Sequence, residues 1–169
     1  MAIKAKEFSL NLPFGIGGCS FEISEGQKNV AWALYAELAT RVSTQKLNYG
    51  EGSAREALNS VHSLFESTRS VLRAQGPDVG RGKQSVGRAA IRILNEGIRP
   101  FLVTWHTALS GFESDEKLRL AKGFGGNHNL APDEGKWTSR RAFYTALEAW
   151  RKDMQKYLKV LEKFAGMKA

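Results

Sequence analysis

The chain is poor in the residues that most often mark a site. Its 169 residues hold one cysteine, three histidines and four prolines. With Cys19 alone, no internal disulfide can form and a CxxC-type metal cluster is excluded, so a reducing, cytoplasmic setting is expected. No two His, Asp or Glu residues fall at a recognised zinc spacing such as HExxH, and neither a metal nor a cofactor is expected. No GxSxG elbow occurs, and no Lys-Ser/Thr follows the glycines of "LPFGIGG" as a phosphate loop would require. No apolar run approaches the ~20 residues of a membrane span, so the expected partners do not include a membrane. The opening "MAIKAKEFSLNL" alternates, where a signal peptide would offer a continuous apolar segment.

What is present is a globular composition, 42% hydrophobic and 25% charged. At this length one domain over residues 1–169 can bury its own core. The net charge of +8 lies on one side of the sequence. Residues 1–79 hold 8 Lys/Arg against 8 Asp/Glu, whereas residues 80–169 hold 17 against 9. Such an excess attracts polyanions, and a solvated lysine-rich helix face accounts for it equally well.

Phe8, Leu10 and Leu12 alternate with polar residues, as do Cys19, Phe21 and Ile23 after the turn "PFGIGG". Residues 1–23 are therefore predicted to form a β-hairpin arm, and residues 24–169 a helical bundle. Helix starts are predicted at Ser24 with Gln27 and at Ser53 with Glu56, both capping-box patterns. The first helix carries Val30, Leu34, Leu38 and Val42 and is expected to fade near Leu47; Gly76-Pro77 stops the second. A third, central helix starts at Gln84 or Ser85, carries a broad apolar face to Leu109, and is predicted to kink at Pro100. A short helix capped by Ser114 and a flexible loop over about 123–137 follow. The last helix starts at Thr138 or Ser139. Its seam is Phe143, Leu147, Trp150, Met154, Tyr157, Leu161 and Phe164, with Arg151, Lys152, Lys156, Lys159 and Lys163 assigned to the opposite faces. The fold expected is mainly α: a four-helix bundle with a kinked central helix and an N-terminal hairpin.

Within "LNEGIRPFLVTWHTAL", Arg99 and His106 stand seven residues apart, about 10 Å along a helix and on one side of it. This spacing resembles the Arg-x4–6-His motif of the HEPN superfamily of helical ribonucleases and nucleotide-binding domains. The resemblance implies metal-independent RNA cleavage, commonly in a cleft between two protomers. The imidazole would move the 2′-hydroxyl proton and the guanidinium would stabilise phosphorane charge. It departs from the motif at Pro100, where that family usually has a polar residue. The structural alternative has Arg99 satisfying carbonyls freed by the proline and His106 as a polar end beside Trp105. His128 in "GGNHN" is a weaker loop candidate, and His62 is expected to be a satisfied bundle histidine. Arg81, Lys83, Arg88 and Arg92, with Arg140 and Arg141 at a helix start, form a candidate anion-binding set. For Arg140 and Arg141 the alternative is bridging to acidic neighbours such as Asp133 and Glu134. Trp32, Trp105 and Trp150 are expected in the core; Trp137 either staples the last helix or anchors a partner.

"AWALYAELATRV", "LFESTRSVLR" and "ILNEGIRPFLVTWHTAL" together resemble segments of small bacterial helical proteins associated with conflict and anti-phage loci. The resemblance implies an accessory protein acting with another protein of the same locus. The leading expectation is thus a docking or assembly module that binds such a partner through its apolar seams and an anion through its basic half. The alternatives are an HEPN-like endoribonuclease, working as a homodimer, and a non-catalytic binder of nucleic acid or nucleotide.

Overall fold

The computed structural model describes residues 6–41, 44–45, 49, 52–82, 85–123 and 132–167. Val42, Leu47, Lys83, Gln84 and His128 lie outside the described residues, as do residues 124–131 of the predicted loop. The chain is mainly helical with a small N-terminal hairpin, as its periodicities predict. Strands β1 (Lys6–Leu12) and β2 (Gly17–Ile23) pair antiparallel, from Lys6↔Ile23 to Leu12↔Gly17. Their shared apolar face buries Leu12, Phe21 and Ile23 against the helices. In the turn, the Ile16 N–H donates to the Pro13 carbonyl, and Phe14 and Gly15 both have positive φ, 61° and 73°. A left-handed backbone is natural for Gly15 and costly for Phe14.

Helix α1 (Glu25–Ala39) starts at Ser24, whose Oγ accepts from the Gln27 N–H at 3.3 Å. Gln27 does not complete the predicted box. Its Oε1 accepts from the Val86 N–H at 3.3 Å, so it caps another helix. Helix α2 (Ala54–Gln75) starts at Ser53 and ends at Gly76, followed by a 3-10 turn over Pro77–Gly80. Helix α3 (Val86–Arg92) starts at Ser85, runs into a π turn (Ile93–Ile98) and continues as α4 (Arg99–Gly123). The central helix thus extends past Leu109. The expected break at Ser114 does not occur; the Ser114 Oγ–H donates to the Ser110 carbonyl within α4, at 2.8 Å. No helix-breaking residue interrupts "ESDEKLRLAK", and its mix of Glu, Lys, Leu and Arg propagates a helix already nucleated. Helix α5 (Arg140–Ala165) ends at Gly166, with the Met167 N–H to the Glu162 carbonyl and the Gly166 N–H to that of Lys163, a Schellman closure.

The irregularity expected at Pro100 lies just ahead of it. The Arg99 N–H reaches back five residues to the Leu94 carbonyl, widening the turn before the proline. Trp150 Nε1–H takes the Gly97 carbonyl at 3.2 Å. Arg99 does not serve these carbonyls. Gly97 is also where the hairpin tip docks. A Cβ there would stand 2.5 Å from the Phe14 ring, so the strained turn residue seats on bare backbone.

The four rods (α1, α2, α3–α4 and α5) alternate in direction. The start of α1 meets the start of α3 through Gln27, Phe21 just before α1 meets Phe164 near the end of α5, and the start of α2 meets the segment before α5 through Glu134. The predicted seam of α5 is buried throughout. Two assignments are corrected. Arg151 is buried, its guanidinium forked onto Glu148, because the α5 core stripe is wider than its heptad seam. Trp32 is 54% exposed and stacks on Tyr35 at 5.8 Å, because its side of α1 has no neighbouring helix to fill.

Candidate functional site

Arg99 and His106 both lie exposed on α4, but each is engaged from α2. The Arg99 guanidinium stands over the Phe65 ring, 5.8 Å from its centroid. His106 meets Arg55, in the first turn of α2, which donates an Nη1–H to His106 Nε2 at 3.3 Å. Arg55 also forks onto Glu113, with its Nε–H 3.0 Å from Oε1 and its Nη2–H on Oε2. Ser110 Oγ lies 3.3 Å from Arg55 Nη2 and 3.5 Å from His106 Nδ1.

A guanidinium has no acceptor, so in this contact Nε2 receives, and Nδ1 faces the Ser110 hydroxyl. The lone pair that a general base would use faces a cation already held by a carboxylate. His106, Ser110 and Glu113 sit at i, i+4 and i+7 on α4, hence on one side of it. The cluster clamps α2 to α4.

Beside it, the start of α2 is closed by a distant carboxylate. Glu134, from a 3-10 turn over Glu134–Lys136, accepts from Ser53 Oγ–H at 2.6 Å, the Ala54 N–H at 2.7 Å and the Arg55 N–H at 3.1 Å. Burial pushes this carboxyl up, but those three donors and the charge of Arg140 outweigh it and hold it below the ordinary value. Arg140 stands over both the Tyr49 and Tyr144 rings, 5.5 and 5.7 Å from their centroids, and the two rings meet edge to face at 5.6 Å. The Tyr144 hydroxyl donates to the Gly52 carbonyl at 3.1 Å. Further along α4, Arg119 and then Lys136 hold the Glu116 carboxyl down at about 2.

The predicted anion-binding set is divided. Arg81 pairs with Asp78 at 3.1 Å, the Arg88 Nε–H donates to the Gly80 carbonyl at 3.0 Å, and Arg92 bonds Glu96 and the Ile16 carbonyl. These three stand at the end where α1 and α3 begin, tying the connecting turn and the hairpin to the rod. Arg140 and the exposed Arg141 stand at the other end, about 33 Å away along α2. Lys83 and His128 lie outside the described residues, and His62 is exposed. Trp137 is buried, 5.6 Å from Phe143 and edge-on to Trp105, and so staples the start of α5. Among the described residues, no group of three His, Cys, Asp or Glu side chains could hold a metal ion, and no helix is long and apolar enough to cross a membrane.

The sequence does not announce the Arg55, Ser110 and Glu113 cluster, and it marks Glu134 only as an acidic neighbour of Arg140, whose charge does reach it. The i, i+4, i+7 spacing of His106, Ser110 and Glu113 was the available signal, hidden by ending the helix at Leu109. No family model, curated protein or solved structure matches the chain.

Proposed function

We propose that this protein is a non-catalytic docking module. It binds a partner protein from the same locus as an accessory component of a bacterial anti-phage or conflict system. The resemblance of "AWALYAELATRV" and "ILNEGIRPFLVTWHTAL" to proteins of such loci supports the setting. The seams first expected to dock are filled by the protein's own core, so the docking surface moves to α1. The observation that carries the reading is the Trp32–Tyr35 stack, an exposed tryptophan propped on a partly buried tyrosine of a regular helix. Rigid, half-exposed aromatics are the commonest anchors of protein interfaces. An anion engaged by the basic half would meet one end of the molecule at a time.

The test is co-purification with the products of the neighbouring genes, followed by titration of the partner captured. Trp32→Ala should weaken that complex by about 30-fold, as an anchor worth about 2 kcal/mol does. Its thermal melt should stay unchanged, because the ring is exposed. A complex indifferent to Trp32→Ala removes the reading.

The HEPN-like endoribonuclease is the second reading, favoured by the exposure of Arg99 and His106 on one rod with Arg55 beside them. It requires Nε2 to be released from Arg55. Under it, His106→Ala abolishes RNA cleavage by the purified protein; a wild-type protein that never cleaves RNA excludes it.

A further inference from the structure

Trp32 shares its side of the bundle with lysines of α5. The Glu37 carboxylate of α1 is hydrogen-bonded to Ser67 of α2, so that flank of α1 faces α2. Tyr35 and Trp32 lie about 160° and about 140° round the helix from Glu37. Both therefore open on the other flank, where α5 runs in the most extensive helix contact of the fold. On α5, Trp150 donates to the Gly97 carbonyl, which turns that side to the α3–α4 rod. Lys152 and Lys159 lie about 160° and about 180° round from Trp150, hence outward on the α1 side. Leu34 and Leu38 of α1 line one internal cavity with Met154 and Tyr157 of α5. Trp32 thus stands alongside the Lys152–Lys159 stretch.

The charge left over on this face is positive. On α1, Glu25 pairs with Lys28 and Glu37 with Arg41. On α5, Lys156 holds Asp153 at 2.7 Å, and Arg151 forks onto Glu148, which Lys152 approaches only to 3.9 Å. Among the described residues Lys159 has no acidic partner. Lys152 and Lys159 are both exposed, so their charges face solvent beside the exposed indole.

Those cations call for an acidic occupant, and the aromatic decides its class. Single-stranded nucleic acid is gripped by successive aromatics on which consecutive bases stack. Trp32 is single, and one face of its ring is already taken by Tyr35, with 21° between the planes. An indole projecting from a helix beside unneutralised lysines fits an apolar pocket rimmed by carboxylates on a protein. We infer that the partner docked on Trp32 presents an acidic surface, which Lys152 and Lys159 of α5 steer onto the indole. The inference rests on the docking function proposed above. The face is about 22 Å long and about two helix diameters wide, the size of a transient contact, in which complementary charge supplies association rate.

Polyglutamate is the first probe, read by acrylamide quenching of tryptophan in the full chain. Trp32 is the exposed indole, since Trp137 and Trp150 are buried and Trp105 packs on the core. Polyglutamate should shield it, and the shielding should vanish in about 0.5 M salt, where charges are screened within about 5 Å. Lys152→Glu with Lys159→Glu should abolish the shielding. Lys117→Glu with Lys122→Glu on α4, an equal change of charge, should leave it. With the captured partner, the α5 pair should slow association about tenfold and barely alter dissociation, as rim charges do, whereas Trp32→Ala speeds dissociation. No shielding by polyglutamate, equal loss with the α4 pair, stronger shielding by polyuridylate at equal charge, or an association rate indifferent to the α5 pair each overturns the inference. An indifferent association rate in a complex still weakened by Trp32→Ala leaves the docking function standing; a complex indifferent to Trp32→Ala removes both. If the α5 charge reversal lowers the melt, Lys152→Ala with Lys159→Ala takes its place.

Discussion

Phe14 and Gly97 depend on each other. Phe14 accepts a left-handed backbone, which costs about 1–2 kcal/mol, and its ring fills the space a side chain at position 97 would occupy. Gly97→Ala should therefore destabilise the protein by about 1–3 kcal/mol, as overpacking does, measured by urea unfolding. A second test at this scale concerns Tyr157. Its hydroxyl is buried with no hydrogen-bond partner among the described residues, and burial pushes its ionisation well above the ordinary tyrosine value. Tyr157→Phe removes a desolvated group and keeps the ring. Stability should stay level or rise by up to about 1 kcal/mol; a loss of more than that would reveal a partner for the hydroxyl.

At the scale of elements, helix ends decide much. Glu134 closes the start of α2 from 80 positions away, and an anion there stabilises a helix by about 1 kcal/mol. Its carboxyl is depressed when folded. Its contribution is therefore present above the unfolded value of 4.5 and is lost as pH falls below it. Glu134→Gln should cost stability at pH 7, and the gap between variant and wild type should close as the pH is taken to about 3. A gap that persists in acid would show that shape, rather than charge, holds the turn. The pattern of ends explains what was legible in advance. Ser24, Ser53, Ser85 and Gly76 act within a turn of themselves, so their roles can be read locally. The seam of α5 repeats often enough to be seen. The Arg55–Glu113 fork spans 58 positions, and no local pattern announces it. The length of α4 was missed for a related reason. Its second half lacks an apolar stripe because it faces solvent on most sides and borrows its support from α2.

For the molecule as a whole, the hairpin and the bundle form one unit. A lone hairpin is marginal in water; this one is held by Phe21 on Phe164 at 4.6 Å, by Phe14 on Gly97 and by Arg92 on the Ile16 carbonyl. Phe21→Ala should cost about 3–5 kcal/mol. Amide exchange should then lose protection in β2 and in the last turns of α5 together; loss confined to the hairpin would mean that the arm opens independently. The excess charge follows the same logic of distribution. The arginines of the basic half do not form a single patch, since Arg81, Arg88 and Arg92 tie the turn and hairpin at one end while Arg140 and Arg141 stand at the other, a division that chain order does not show.

The π turn has a consequence for angular phase. A five-residue reach holds one residue more than an α turn, and one residue is worth about 100° of rotation. The wide turn absorbs that residue, because the Arg99 N–H takes the place under the Leu94 carbonyl that an α turn gives to the residue before it. Deleting one residue inside Ile93–Ile98 would therefore restore the ordinary pitch and leave the phase of α4 unchanged, with Phe101 still against Trp150 and Val103 still outward. Forced into an α turn, the surplus residue would instead swing α4 by about 100°. The π turn is thus what keeps the two parts of the rod in phase.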